Sequence, residues 1–148
     1  MMQIDVASDM RDAGPDGPFG PRFLLEIVGG EVTGDRLSGT IASGGGDWMS
    51  LGRDGWGRLD VRFAMTTGDG ATITYAGVGL FQFTEAVVAA LGSSGATEYE
   101  DQYYRTTGRL ETGDARYAWV NQSLFVTEGR LSPRETGRGI EARMLRVT

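Results

Sequence analysis

From Arg58 to Met65 the chain alternates without a break, with Arg58, Asp60 and Arg62 on one face and Leu59, Val61 and Phe63 on the other. A period of two marks a half-buried strand, because successive side chains of extended backbone point to opposite faces. Gly68-Asp69-Gly70 follows, and residues 71–78 are rich in β-branched side chains, so the two segments are expected to form a hairpin. Similar short strands are expected at residues 3–7, 22–28, 36–42, 103–106, 117–127 and 140–147. Gly, Asp and Pro clusters at 12–20, 29–30, 44–46 and 132–139 separate them. One stretch departs from this pattern. Thr84 is suited to cap a helix, Glu85 to sit in its first turn and Gly92 to end it, so residues 84–91 are expected to form one short helix.

Regularly spaced short strands favour a sandwich or a barrel over an α/β arrangement. Read as one strand, residues 117–127 place Tyr117, Trp119, Asn121, Ser123 and Phe125 on one face. A sandwich core absorbs such a face poorly, whereas the interior of an eight-stranded barrel holds one small ligand. The expected fold is therefore all-β: a closed antiparallel β-barrel of about eight to nine strands, lipocalin-like or allene-oxide-cyclase-like in architecture, with one short helix. On this reading the polar faces point inward. Leu59, Val61, Phe63 and Val120 then point outward and need cover from the helix or another subunit, so a homo-oligomer is expected.

At 148 residues the chain is expected to form a single domain, with residues 1–20 as its N-terminal arm. It contains no Lys, His or Cys. That removes a histidine base, a thiolate nucleophile and a Schiff-base amine, leaving carboxylates, hydroxyls, backbone amides and Arg. No metal and no cofactor are expected, since imidazole and thiolate ligands are missing and Asp47, Asp54 and Asp60 lack calcium-loop spacing. A net charge of −6 disfavours nucleic acid and anionic membrane as partners, leaving small molecules and proteins, of which a small-molecule ligand suits a barrel interior. The first ten residues carry Asp5 and Asp9 where a signal peptide needs a basic and then an apolar stretch, so a cytoplasmic location is expected.

Within that inventory, Asp60 and Arg62 lie two apart on one strand face, which suits either a base held ionised by its neighbour or a structural ion pair. Asp47 and Trp48 follow three glycines, whose amides suit an oxyanion, although a tight turn with a packed Trp accounts for them equally. Tyr104 offers a proton donor and Arg105 a second cation, on a segment that also reads as ordinary strand. Trp119 and Asn121 offer a stacking wall and a directional hydrogen bond, or simple core filling. Tyr75 joins them if strand parity holds.

Taken in order, Gly44-Gly45-Gly46-Asp47-Trp48, Asp54-Gly55, Leu59-Asp60-Val61-Arg62, Asp69-Gly70-Ala71-Thr72-Ile73, Tyr103-Tyr104-Arg105-Thr106, Glu111-Thr112-Gly113 and Tyr117-Ala118-Trp119-Val120-Asn121 form a series. This series resembles domain-of-unknown-function family three-two-three-seven, small bacterial and fungal β-barrel proteins, over roughly residues 22–147. Tyr104 stands where that family usually has Phe, and Val120 where it has Leu. The resemblance implies a barrel whose motifs surround one interior site, with no settled general function. Two functions then fit the residues. One is a cofactor-independent acid–base enzyme, an isomerase, cyclase or lyase for a small oxygenated or aromatic metabolite, with Asp60 or Asp47 as base, Tyr104 as acid, and Arg62 or Arg105 steadying an oxyanion. The other is a non-catalytic carrier of such a ligand.

Overall fold

In the computed structural model the alternation seen at residues 58–65 extends in both directions. Strand β6 (Trp56–Thr67) buries Leu59, Val61, Phe63 and Met65 and exposes Arg58 and Arg62. It pairs antiparallel with β7 (Thr72–Gln82) along its whole length, and Gly70 takes φ +88° in the turn between them, a conformation favourable to glycine. The structure describes residues 1–18, 20–135 and 137–148. Phe19 and Thr136, which fall in the clusters read at 12–20 and 132–139, lie outside the described residues.

Among the described residues there are ten strands: β1 (Met2–Val6), β2 (Arg11–Gly17), β3 (Gly20–Val32), β4 (Gly39–Ile41), β5 (Gly45–Leu51), β6, β7, β8 (Tyr104–Glu111), β9 (Phe125–Leu131) and β10 (Arg138–Arg146). Strand β1 pairs with both β10 and β3, which closes the sheet. Strands β4 and β5 both lie between β3 and β6 and share one position there. The result is a closed antiparallel eight-stranded barrel with two extra strands, β2 and β4. Closure leaves the circuit without a free edge.

Helix α1 (Glu85–Ser93) follows β7 and buries Val87 and Ala90 at one end of the barrel. Thr84 caps it through the amide of Val87, as expected, but the helix runs past Gly92 and ends at Ser94, which takes a left-handed φ of +53°. The expected strand at 117–127 is absent. A 3-10 helix (Ala115–Gln122) occupies most of that stretch, and β9 begins only at Phe125. Asp114 starts the turn by accepting the Arg116 amide, and Arg116 and Tyr117 reach over to Asp69 in the β6–β7 turn. Local side-chain hydrogen bonds thus compete successfully with the ladder. Tyr117 and the buried Val120 lie three apart, the period of this helix.

The inward faces are apolar, which reverses the expected orientation. Leu59, Val61, Phe63 and Val120 are buried in the core, alongside Ile4, Ile27 and Met49. An eight-stranded barrel has only enough interior for side chains to fill, and desolvating several arginines there is costly. The faces therefore sort as in any half-buried sheet. The expectation of subunit contacts from those four residues loses its basis, and the large apolar side chains exposed on the outside instead include Val78, Leu80, Leu124 and Leu145.

Candidate functional site

Close packing leaves one pronounced apolar cavity of about 120 Å³ inside the barrel, at the α1 end. That is of the order that accommodates one benzene-sized ring. Leu25, Ile27, Met49, Leu59, Val61 and Phe81 supply its walls, and Asp47 and Tyr104 are the polar side chains set among them. Met10, Ser94, Pro133 and Gly137, all exposed, stand where it opens.

Asp47 reaches the interior by strand parity, in phase with buried Met49 and out of phase with exposed Trp48. The β5–β6 ladder pairs Gly46 with Arg62 and Asp47 with Val61, and resumes at Ser50 with Arg58. Across the gap, the Asp60 amide donates to Asp47 Oδ1 at 2.9 Å. Burial pushes the Asp47 carboxyl up to about 6; the Asp60 amide opposes this, and the Asp60 charge adds to it. Near neutral pH such a group both accepts and returns a proton.

Tyr104 begins β8, and its ring lies against Gly129, where a Cβ would come within 2.4 Å of Cδ1. Its phenol is pushed well above the usual range by burial first, then by the charges of Asp47 and Tyr75, so it stays protonated. Among the described residues its hydroxyl has no hydrogen-bond partner. Tyr75 is also inside, in phase with buried Ile73 and opposite Phe63 of β6. Its ring stacks on Phe63 at 4.9 Å, and its hydroxyl meets Thr106 Oγ1 at 2.8 Å, which in turn meets Thr127 Oγ1. Burial raises this phenol too, but the group belongs to a satisfied hydroxyl chain rather than to the cavity wall.

The other six candidates lie elsewhere. Asp60 and Arg62 form an ion pair at 3.3 Å on the outer wall, with side chains 41% and 71% exposed. Trp48 is exposed on the same outer surface. Arg105 is tied to Glu128 at 2.5 Å and lies over the Tyr103 ring. Trp119 is half-buried, with the Arg36 guanidinium 4.1 Å above it and Phe125 at its edge. Asn121 clamps Thr112, accepting its amide and donating to its carbonyl, both at 2.9 Å. The implied ring of motifs around one interior site is thus reduced to Asp47 and Tyr104.

One residue of the cavity escaped the sequence reading. Arg138 lines its opening, on the inward phase that continues as Ile140 and Ala142. The signal was present in the alternation of β10, but residues 132–139 read as a loop. Among the described residues no cluster of three or more His, Cys, Asp or Glu is placed to hold a metal, and no helix is long and apolar enough to cross a membrane.

The chain is 32% identical to a UPF0311 protein of Rhodopseudomonas palustris over 118 residues, 80% of this chain and 76% of that protein. The crystal structure of that conserved protein of unknown function superposes with a TM-score of 0.83 at 26% identity, covering 99% of this chain and 92% of the other. A β-barrel-like protein from Acinetobacter baumannii is similar at a TM-score of 0.79 and 23% identity, over 98% and 90% of the two chains. An enzyme from Penicillium herquei shares the fold at a TM-score of 0.63 and 16% identity, over 98% of this chain and 91% of that one. The family model described as "Protein of unknown function (DUF3237)" matches residues 1–147, and the chain belongs to that family.

Proposed function

We propose that the protein is a cofactor-independent acid–base enzyme of isomerase, cyclase or lyase type, acting on a small, mainly apolar metabolite that carries oxygen. The observation that carries this reading is the Asp47 carboxyl, pushed up to about 6 by burial, sharing an apolar cavity with the Tyr104 hydroxyl, which has no partner among the described residues. A structural carboxylate in such a wall is normally tied to a cation, and among the described residues Asp47 has only the Asp60 amide.

In this mechanism ionised Asp47 takes a proton from an acidic C–H or O–H of the bound substrate. The electron pair left behind moves onto a substrate oxygen, to which Tyr104 donates a hydrogen bond. Asp47 then returns the proton at the same or a neighbouring atom. The apolar walls keep water out and strengthen both contacts. Asp60, Arg62 and Arg105 have no part in it, since all three face outward. The Penicillium herquei protein is described as an enzyme, and at that identity the support it lends is likeness of fold alone.

The test uses small enolisable ketones and phenols that bind by ligand-observed NMR in deuterated buffer. The wild-type protein is expected to catalyse deuterium incorporation next to the carbonyl, and Asp47→Asn to bind the same compounds without doing so. Binding with no exchange by either protein would establish the carrier reading instead.

A further inference from the structure

The cavity lining carries two charged side chains, Asp47 in the wall and Arg138 at the opening. Arg138 is the first residue of β10 and pairs with Val6 of β1. From Arg138 the inward phase runs through half-buried Ile140 to buried Ala142, beside Val6, Ile4 and Met2, all buried. The guanidinium therefore emerges from the inner wall rather than from the outer surface. It is half-buried, and among the described residues it forms no ion pair and donates no side-chain hydrogen bond. Its near neighbour Arg134 is different, being bonded to Asp5 and Gln3. In a chain of net charge −6, a cation at the rim of an apolar cavity with no acidic partner among the described residues stands out.

We infer that Arg138 receives an anionic oxygen group, so that the ligand is an amphipathic acid: a carboxylate or similar oxyanion at the opening, with an apolar body inside. Guanidinium presents a planar fork of donors that matches a carboxylate in two parallel hydrogen bonds. Asp47 repels a second negative charge deeper in, so the anion is confined to the rim and the ligand enters apolar end first. The exposed hydroxyl-bearing Ser94 and the half-buried Ser132 stand at the same rim and leave it polar enough to keep an anion hydrated on its outer side. The inference rests on the reading that the cavity binds a small molecule, and it does not require that Asp47 be catalytic.

The experiment measures binding of 3-phenylpropanoate and of its methyl ester, which has the same body without the charge, to the wild-type protein and to Arg138→Gln. The wild-type protein is expected to bind the acid about tenfold more tightly than the ester, the scale of a charged hydrogen-bonded pair. Added salt should narrow that gap. In Arg138→Gln the acid should fall to the affinity of the ester, whose own binding stays as it was. Equal affinity of acid and ester for the wild-type protein, or a preference that survives in Arg138→Gln, overturns the anion site while leaving the cavity reading intact. Binding of neither probe overturns the cavity reading, and the anion site falls with it. An unchanged melting temperature in Arg138→Gln excludes loss of the fold as the cause.

Discussion

Asp47 Oδ1 accepts the backbone amide of Asp60 at 2.9 Å, so the two acidic residues are joined through the barrel wall while their carboxylates face opposite sides of it. The contact fixes the orientation of the inner carboxyl and fills a gap in the β5–β6 ladder. It does so with one neutral donor, and a buried carboxylate needs more than that to be held ionised.

The Asp47→Asn protein is expected to be more stable than wild type above pH 6. The folded-state value of about 6 lies above the unfolded value of 3.8, so Asp47 favours folding fully only below about 3.8. That contribution is lost as pH rises through 6, at a cost approaching about 3 kcal/mol. Asn keeps an oxygen for the Asp60 amide and never ionises. Thermal melts at pH 8 should show the variant higher by several degrees, and at pH 4 the two should nearly coincide. A variant that melts lower at pH 8 would show the carboxylate to be a structural necessity.

Asp60→Asn and Arg62→Gln serve as the contrasting pair. With both side chains largely in solvent, the ion pair contributes no more than about 0.5 kcal/mol. Each variant should melt within a degree or two of wild type, and the deuterium exchange assigned to Asp47 should persist in both. Loss of exchange in either variant would return the chemistry to the outer wall.

The β6–β7 hairpin was legible because eleven paired positions carry an uninterrupted alternation. Alternation separates two faces without saying which is inside, and the polar face suits a lining only if Trp119 and Asn121 lie on a strand. Their stretch is governed by the local contacts of Asp114 with Arg116 and of Asn121 with Thr112, together with Asp69, 47 residues from Arg116 in sequence. The three glycines before Asp47 read as a turn, yet Gly45 and Gly46 belong to β5. At Gly45 a Cβ would come within 2.6 Å of the Arg62 carbonyl, so glycine there marks a close approach of strands. Asp47 and Tyr104 were both visible as chemistry. That they share a cavity depends on barrel closure by β1, which no local pattern reports.

Removing the Tyr104 hydroxyl should separate chemistry from packing. In Tyr104→Phe the ring still fills the space over Gly129, and among the described residues the lost hydroxyl has no partner to leave unsatisfied. Stability should change by less than about 0.5 kcal/mol. Exchange should slow by about a hundredfold or more, the scale of a lost general acid, while the ligand still binds. Full retention of exchange would remove Tyr104 from the mechanism.

The same ring sets the last prediction. Ala at position 129 would place its Cβ about an ångström too close to the Tyr104 ring, at 2.4 Å from Cδ1, and the ring, held by Phe81 at 5.1 Å, has little room to turn away. Gly129→Ala should therefore destabilise the barrel by about 1–3 kcal/mol through overpacking. Tyr104→Leu alone should destabilise it by a similar amount through the void it leaves. Because each defect relieves the other, the double variant should be more stable than the sum of the two losses implies, with a coupling above about 0.5 kcal/mol in denaturant melts. Strict additivity would mean that the ring and Gly129 do not share this space, and would remove the physical reason for glycine at that position.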